Sequence, residues 1–416
     1  MTSPLSPPPK KNPLVRLRLP TLPPATRSRQ ALGLTAAAAE GQFKLQVCQS
    51  CNAVQYPPRE LCHQCLSNKL LWQSVKPQGK LIATTTLHHS NDLYYRERLP
   101  WRIGTVQLDA GPSAIAHVHS ACALNDTVRL ALKLDRSGQA VLIALPNHKV
   151  AYMEDDPVLR ETSCDPKFRR VLITDGSTAI GQACATALLG AGAKQVFLGN
   201  PSPWKPNPAL EKLAADERVS VHTLDLGDTQ SVEQLSRRLG GQVEILVNTA
   251  NHQRDGRILF NQGLTKAQDA MDINCFGLMR LAQHFGPAMA SRAADGVNNA
   301  VAWVNLLSIY ALYNPPTKAT WAASQAAALS VSRSLRADFQ ASGIRVLNVF
   351  TGPLESEWEQ LTPPPLVRPA ALARAVINAL QEGLEDIYVG DIAKEIVARL
   401  QENPKGLERE LGQQTE

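Results

Sequence analysis

Two cysteine pairs place the tightest limit on what this chain can become. Cys48-Gln-Ser-Cys51 and Cys62-His-Gln-Cys65 stand with ten residues between them. A CxxC turn sets two thiolates on one side of a tight loop. Two such turns brought face to face complete a tetrahedron with Zn–S bonds of about 2.3 Å. A unit of about 30 residues cannot bury a sufficient core, so the metal must hold it together. Residues 41–71 are therefore expected to form a metal ribbon with Cys48, Cys51, Cys62 and Cys65 as ligands. Four thiolates leave no open coordination position, which makes the ion structural. The spacing leaves iron open, with zinc as the default. Eight cysteines in 416 residues are too few for a disulfide scaffold, and the pairing points to a reduced, cytoplasmic setting.

Charge separates the N-terminus from the rest. Residues 1–39 carry Lys10, Lys11, Arg16, Arg18, Arg27 and Arg29 and no acid, which accounts for the whole net charge of +6. The neutral remainder argues against a nucleic-acid reader, which needs a basic face. Eight prolines in residues 1–30 predict an extended tail over 1–40. Leu14, Val15, Leu17 and Leu19 interleave with its arginines, as in an arm that packs on a partner. Ala31–Ala39 is apolar, but it is short and contains Gly33 and Thr35, so it does not read as an export signal. No apolar run reaches membrane-spanning length.

After the ribbon the pattern turns all-β over 72–150. Val128–Leu134 alternates with period two, a turn at Ser137-Gly138-Gln139 follows, and Val141–Leu145 continues the pattern. With Lys80–Leu87, Arg102–Leu108 and Ala114–His119, five short strands suggest a small barrel. His117 and His119 are two apart and, with His88 and His89, read as polar residues on the barrel face rather than a second metal site. Residues 151–168 read as a linker. From 169 to 416, β-rich runs alternate with helical ones: Arg170–Thr174, Gln195–Leu198, Val219–Leu224, Glu244–Val247, Val301–Leu306, Arg345–Phe350 and Ile387–Val389. That order predicts a doubly wound parallel sheet with helices on both faces.

The first part resembles the DUF35 family, a rubredoxin-like zinc ribbon followed by an OB-fold. The likeness rests on the two CxxC turns, Tyr56-Pro57-Pro58-Arg59, Leu71-Trp72, Leu99-Pro100-Trp101-Arg102-Ile103-Gly104 and Gln107-Leu108-Asp109-Ala110-Gly111. It implies an accessory module beside thiolase-like enzymes and acyl-CoA chemistry.

Residues 169–416 resemble the short-chain dehydrogenase/reductase family, a Rossmann-like fold. Thr174-Asp175-Gly176-Ser177-Thr178-Ala179-Ile180-Gly181 stands in place of the glycine-rich turn, Asp225-Leu226 at the adenine-contacting Asp, and Asn248-Thr249-Ala250-Asn251 in place of Asn-Asn-Ala-Gly. The resemblance implies cofactor contacts at Gly176, Ser177, Ile180, Gly181, Asp225, Asn248 and Ala250. Asn274 and Ser308 fall on two of its four catalytic positions, and Trp321 and Gln325 occupy the Tyr and Lys positions. Trp321 offers an N–H that cannot cycle as acid and base, and neutral Gln325 cannot lower a neighbouring pKa. Tyr310 and Tyr313 lie nearby, but Lys318 is not four residues from either and Pro315-Pro316 intervenes, so substitution by them is not expected. Asp175 and Ala179 replace two glycines of the turn, and Leu198-Gly199-Asn200-Pro201 carries no acid for a ribose and no Arg for a 2′-phosphate, so tight NAD(P) binding is not expected. Thr351-Gly352-Pro353 matches the loop bordering the substrate pocket, with Trp358 and Pro363-Pro364-Pro365 beyond it.

These readings point to an auxiliary, non-catalytic subunit of an acyl-CoA-processing complex, partnered with a thiolase-like enzyme or an active dehydrogenase. An acyl-CoA ligand fits this reading; nucleic acid and membrane do not. The competing reading is an NAD(P)-dependent oxidoreductase of 3-hydroxyacyl-CoA, 3-ketoacyl-CoA or related ketones. Long helices over Thr265–Ser291 and Pro315–Ala341 are expected to pair subunits. In the second, Ala319, Ala322, Ala323, Ala326, Ala327 and Ala328 permit close approach, with Trp321 as an anchor among them.

Overall fold

Period-two alternation and the cysteine turns are both realised in a first unit centred on Thr21–Asp165. A computed structural model describes residues 2–10, 20–259, 264–294, 299–355 and 365–413. The arm residues Leu14, Val15, Leu17 and Leu19, as well as Trp358, Pro363 and Pro364, lie outside these. Strands β1 (Lys44–Cys48), β2 (Val54–Gln55) and β3 (Leu70–Ser74) form an antiparallel sheet in the order β2-β1-β3. Strands β4 (Gln78–Leu87), β5 (Trp101–Leu108), β6 (Ser113–Val118), β7 (Thr127–Leu134) and β8 (Ala140–Pro146) close a barrel in the order β4-β5-β6-β8-β7. This is the five-stranded OB topology. Inward residues such as Leu81, Val106, Val118, Val128 and Leu130 fill it.

The expected tail does not run to residue 40. Leu32–Ala39 is a helix, α1, whose Leu34, Ala37 and Ala38 join the barrel's apolar cluster. Small side chains allow that approach. A Cβ at Gly33 would lie 2.1 Å from the Trp72 ring, so only glycine fits there. The expected linker is also structured in part. After the short helix α2 (Leu93–Arg96), α3 (Pro157–Thr162) is capped by Asp156, and its Val158 and Leu159 pack with Trp101, Ile143 and Leu145.

The second unit is centred on Pro166–Leu380 and Asp386–Glu416. Seven strands, β9 (Arg170–Ile173), β10 (Gln195–Asn200), β11 (Val219–Thr223), β12 (Ile245–Asn248), β13 (Ala302–Ser308), β14 (Arg345–Thr351) and β15 (Asp386–Val389), pair in the order β11-β10-β9-β12-β13-β14-β15. All pairings are parallel. Burial on both faces explains why the central strands read as continuous apolar runs. Helices α4 (Ala179–Gly190), α5 (Pro208–Ala214), α6 (Thr229–Leu239), α7 (Thr265–Met271), α8 (Gly277–Ser291), α9 (Ala319–Asp338), α10 (Pro369–Glu382), α11 (Asp391–Glu402) and α12 (Pro404–Gln413) connect and follow the strands. The order reverses between β9 and β12, which opens a crevice at the strands' C-terminal ends.

Two expected helices differ in detail. Thr265–Ser291 is interrupted by a π-helical turn at Asp272–Phe276, braced by Arg280, which donates to the Leu226 carbonyl and the Asp272 carboxylate at 2.7 Å each. The second helix begins at Ala319 because Pro315 and Pro316 hold the chain in a separate turn before it. Trp321, Ala322 and Ala328 face inward, so Trp321 is not a surface anchor; Ala323 is exposed, and Ala326 and Ala327 are half-buried. No described helix is long and apolar enough to cross a membrane.

Candidate functional site

The four cysteine sulfurs lie within 4.8 Å of one another. Cys48 and Cys65 are 3.6 Å apart, as are Cys51 and Cys62. A tetrahedron with Zn–S bonds of about 2.3 Å needs edges of about 3.8 Å, so the set fits zinc closely. The turns also aim amides at sulfur: Ser50 N–H donates to Cys48 and Gln64 N–H to Cys62, each at 3.4 Å. Burial opposes ionisation of Cys48, but the amides of Ser50 and Cys51 and the adjacent thiols outweigh it and bring the thiol down to about 6. Amides of Cys65 and Gln64 lower Cys62 as well. Cys51 and Cys65 are raised instead: the amides of Ala53 and Ser67 lower them, but adjacent thiols and burial outweigh this, so all four lose their protons together only to a metal. Among the described residues this is the only such cluster. His117 is half-buried outside the barrel core and accepts from Trp101 Nε1 at 2.8 Å; burial brings it down to about 4. His119 is fully buried just past β6, with Nε2 at 3.1 Å from the Met153 carbonyl, and so is not a face residue.

In the second unit the crevice is lined by the turn after β9. Thr178 caps α4 by accepting from Gly181 N–H at 3.1 Å. A Cβ at Gly181 would fall 1.9 Å from the Asp175 carbonyl, so helix and turn meet only through glycine. Asp175 turns its carboxylate back on the turn: Oδ1 accepts from Ser177 N at 2.9 Å and from Ser177 Oγ at 2.6 Å. Burial pushes its carboxyl upward, and the Ser177 and Thr178 bonds only partly offset this. The donors that would meet an incoming phosphate are thus partly taken by the chain's own anion. Gly176 N–H donates to the Gly199 carbonyl at 2.7 Å, and Ile180 is half-buried in the first turn of α4. Asn248 accepts from Thr174 Oγ1 at 2.9 Å, and Ala250 N–H donates to the same hydroxyl at 3.2 Å. Asp225, past β11, spends Oδ1 on Gly227 N–H at 2.8 Å.

Asn274, Ser308, Trp321 and Gln325 are knit into one network. Trp321 Nε1 and Gln325 Nε2 donate to Asn251 Oδ1 at 3.0 and 3.1 Å. Ser308 N–H donates to Gln325 Oε1 at 3.0 Å, and Ser308 Oγ accepts from Tyr310 N–H at 3.2 Å. Asn274 sits in the π-helical turn, accepts from His252 N–H at 2.7 Å and donates to the His252 carbonyl and to Ser324 Oγ. The network orients groups but contains no acid–base pair. Sequence spacing missed two members. Asn251 was legible only as a departure from glycine. Lys318 is brought within 5.6 Å of the Tyr310 ring centroid and 5.7 Å of the Trp321 ring centroid by the turn at Pro316–Lys318. That cation meets ring faces, an arrangement that stabilises the aromatic cluster of Tyr310, Tyr313 and Trp321.

Comparisons with known proteins agree with this division. Residues 35–70 match the ChsH2 rubredoxin-like zinc ribbon domain, 72–133 the ChsH2 C-terminal OB-fold domain, and 169–364 the short chain dehydrogenase family. The chain is similar to 1-deoxy-11-beta-hydroxypentalenate dehydrogenase of Streptomyces exfoliatus, 27% identical over 47% of this chain and 71% of that protein. It is also similar to a fatty acyl-CoA reductase of Acinetobacter baylyi, 25% identical over 55% of this chain and 74% of that protein. Among solved structures, a short chain dehydrogenase from Burkholderia cenocepacia in complex with NADP superposes with a TM-score of 0.53 and 28% identity, over 58% of this chain and 97% of that one.

Proposed function

For a chain that joins a ChsH2-type zinc ribbon and OB-fold to a short chain dehydrogenase domain, we propose an auxiliary, non-catalytic role in an acyl-CoA-processing complex with a thiolase-type partner. One observation carries the non-catalytic part: Trp321 and Gln325 spend their donors on Asn251 instead of presenting a proton. The DUF35 likeness and the fatty acyl-CoA reductase relative support acyl-CoA chemistry. In the test, the full chain is given NADPH with 3-ketoacyl-CoA substrates, alone and with proteins that co-purify from its host. No turnover alone is expected. Steady NADPH oxidation by the purified chain, lost on Ser308→Ala, sinks the reading.

The second reading, an NAD(P)-dependent oxidoreductase of such substrates, is favoured by the likeness to an NADP-bound dehydrogenase. It requires Tyr310 or another group to supply the proton. We also propose that the dehydrogenase domain pairs with a second copy or with an active dehydrogenase. Exposed Leu264, Phe276 and Met279 beside a shallow groove of about 610 Å³ support this. Ala327→Glu is expected to split the oligomer with zinc content unchanged; a monomer in light scattering with no co-purifying partner overturns it.

A further inference from the structure

The replaced acid–base positions leave two buried N–H donors aimed at one point. Trp321 and Gln325 are 5% and 3% exposed, yet both donate to the same oxygen, Asn251 Oδ1. Asn251 itself is exposed. Two donors that would be costly to leave unpaired therefore depend on a solvent-facing side chain. The donors have little freedom to turn elsewhere. Tyr310 meets the Trp321 ring edge-on, 5.6 Å between centroids. Ser308 N–H fixes the Gln325 amide by donating to its oxygen, which leaves the nitrogen facing Asn251. Asn274 pins the backbone at His252, next to Asn251, through bonds of 2.7 and 3.0 Å.

Asn251 offers an amide carbonyl oxygen as the acceptor, so the molecule carries its own example of what the donor pair binds. We propose that Trp321 and Gln325 form a clamp for a carbonyl oxygen, gated by Asn251, that holds the carbonyl of an acyl thioester in the crevice without reducing it. The thioester part rests on the acyl-CoA reading above. Paired N–H donors converging at about 3 Å polarise a carbonyl as an oxyanion hole does. Neither an indole N–H nor a carboxamide passes a proton near neutral pH, so the carbonyl is bound and left unchanged. A ligand oxygen entering the clamp exchanges one for one with Asn251, which keeps both donors paired and makes the gate reversible.

The probe is acetoacetyl-CoA labelled with ¹³C at its carbonyls, added to the full zinc-loaded chain. Affinity is read by calorimetry and hydrogen bonding by the carbonyl resonance. Asn251→Gly removes the internal competitor and is expected to tighten binding about tenfold, with the bound carbonyl shifted downfield. Trp321→Phe in that background is expected to abolish both the gain and the shift, while unlabelled CoA alone responds to neither change. Equal affinity for wild type and Asn251→Gly, or a bound carbonyl resonance at its free position, overturns the clamp. NADPH is followed separately with the wild type: turnover there defeats the non-catalytic reading, whereas the clamp is judged by affinity and resonance measured without NADPH.

Discussion

The ribbon and the crevice are two polar sites built on opposite terms. In the ribbon, every residue the chemistry needs is present, and the geometry answers it: four sulfurs gathered, with amides aimed at two of them. In the crevice the polar groups answer one another. Asp175 caps its own turn, and Asn251 occupies the donors of Trp321 and Gln325. A four-thiolate metal site fails when one ligand is lost, because coordination needs all four sulfurs at once and packing of Leu45, Val54 and Tyr56 on the barrel cluster cannot replace one. A crevice between a sheet and its helices keeps its shape whatever its rim residues do, since the sheet is held by buried apolar strands.

The largest test of that contrast is Cys51→Ser. It is expected to release zinc and unfold residues 41–71, at a cost on the order of 10 kcal/mol of metal-linked stability, while exchange protection in β9–β15 persists. Retained zinc by elemental analysis, or loss of protection throughout, breaks the contrast. Next comes restoration of chemistry in the crevice. Trp321→Tyr with Gln325→Lys is expected to remain inactive toward NADPH and a 3-ketoacyl-CoA until Asp175→Gly and Asn251→Gly are added. The fourfold variant should then exceed the double one by about 10²-fold or more, the usual contribution of a placed acid. Activity in the double variant alone shows that the rim is no obstacle.

Acid reports on the barrel. His117 is held down to about 4 by burial, and its imidazole accepts from Trp101. Below about pH 6.5 the unfolded chain binds a proton that the folded one refuses. Stability of the first unit should therefore fall as pH drops from about 6.5 to 4, by at most about 3 kcal/mol, and level off below. His117→Gln should flatten that slope in urea melts taken at each pH. Burial raises Asp175 instead, so its ionised form costs folding stability. The sign is reversed: the folded state keeps its proton longer, and stability falls as pH rises above the ordinary carboxylate range. The smallest expected effect is Trp321→Phe, about 1 kcal/mol from one lost hydrogen bond in an otherwise filled site. A much larger loss in the melting curve makes the network a keystone of the domain instead of a rim feature.

Both architectures were legible because they rest on local periodicity. Alternation along Thr127–Leu134 and the apolar runs at β9, β12 and β14 each found their strand within a residue or two. The start of the first unit was not. Prolines and arginines dominate residues 1–30, and an alanine-rich helix without caps looks like tail until Trp72 lies over Gly33. The π-helical turn at Asn274 was also invisible, since it depends on Arg280 reaching the Leu226 carbonyl 54 residues away.

Residue types at fixed spacing marked four thiolates for one ion, and put Trp321 and Gln325 four residues apart where the family resemblance leads one to expect a tyrosine and a lysine. Those facts are local, because coordination and proton transfer each demand particular atoms whatever the surroundings. Only the tertiary structure decided what the replacements do. A carboxylate at 175 could repel a ligand or fold back on its own turn, and an asparagine at 251 could face solvent or meet Trp321 and Gln325 from 70 and 74 residues away. Hydrogen bonds of that range are chosen by how the strands stack, and sequence spacing does not encode the stacking.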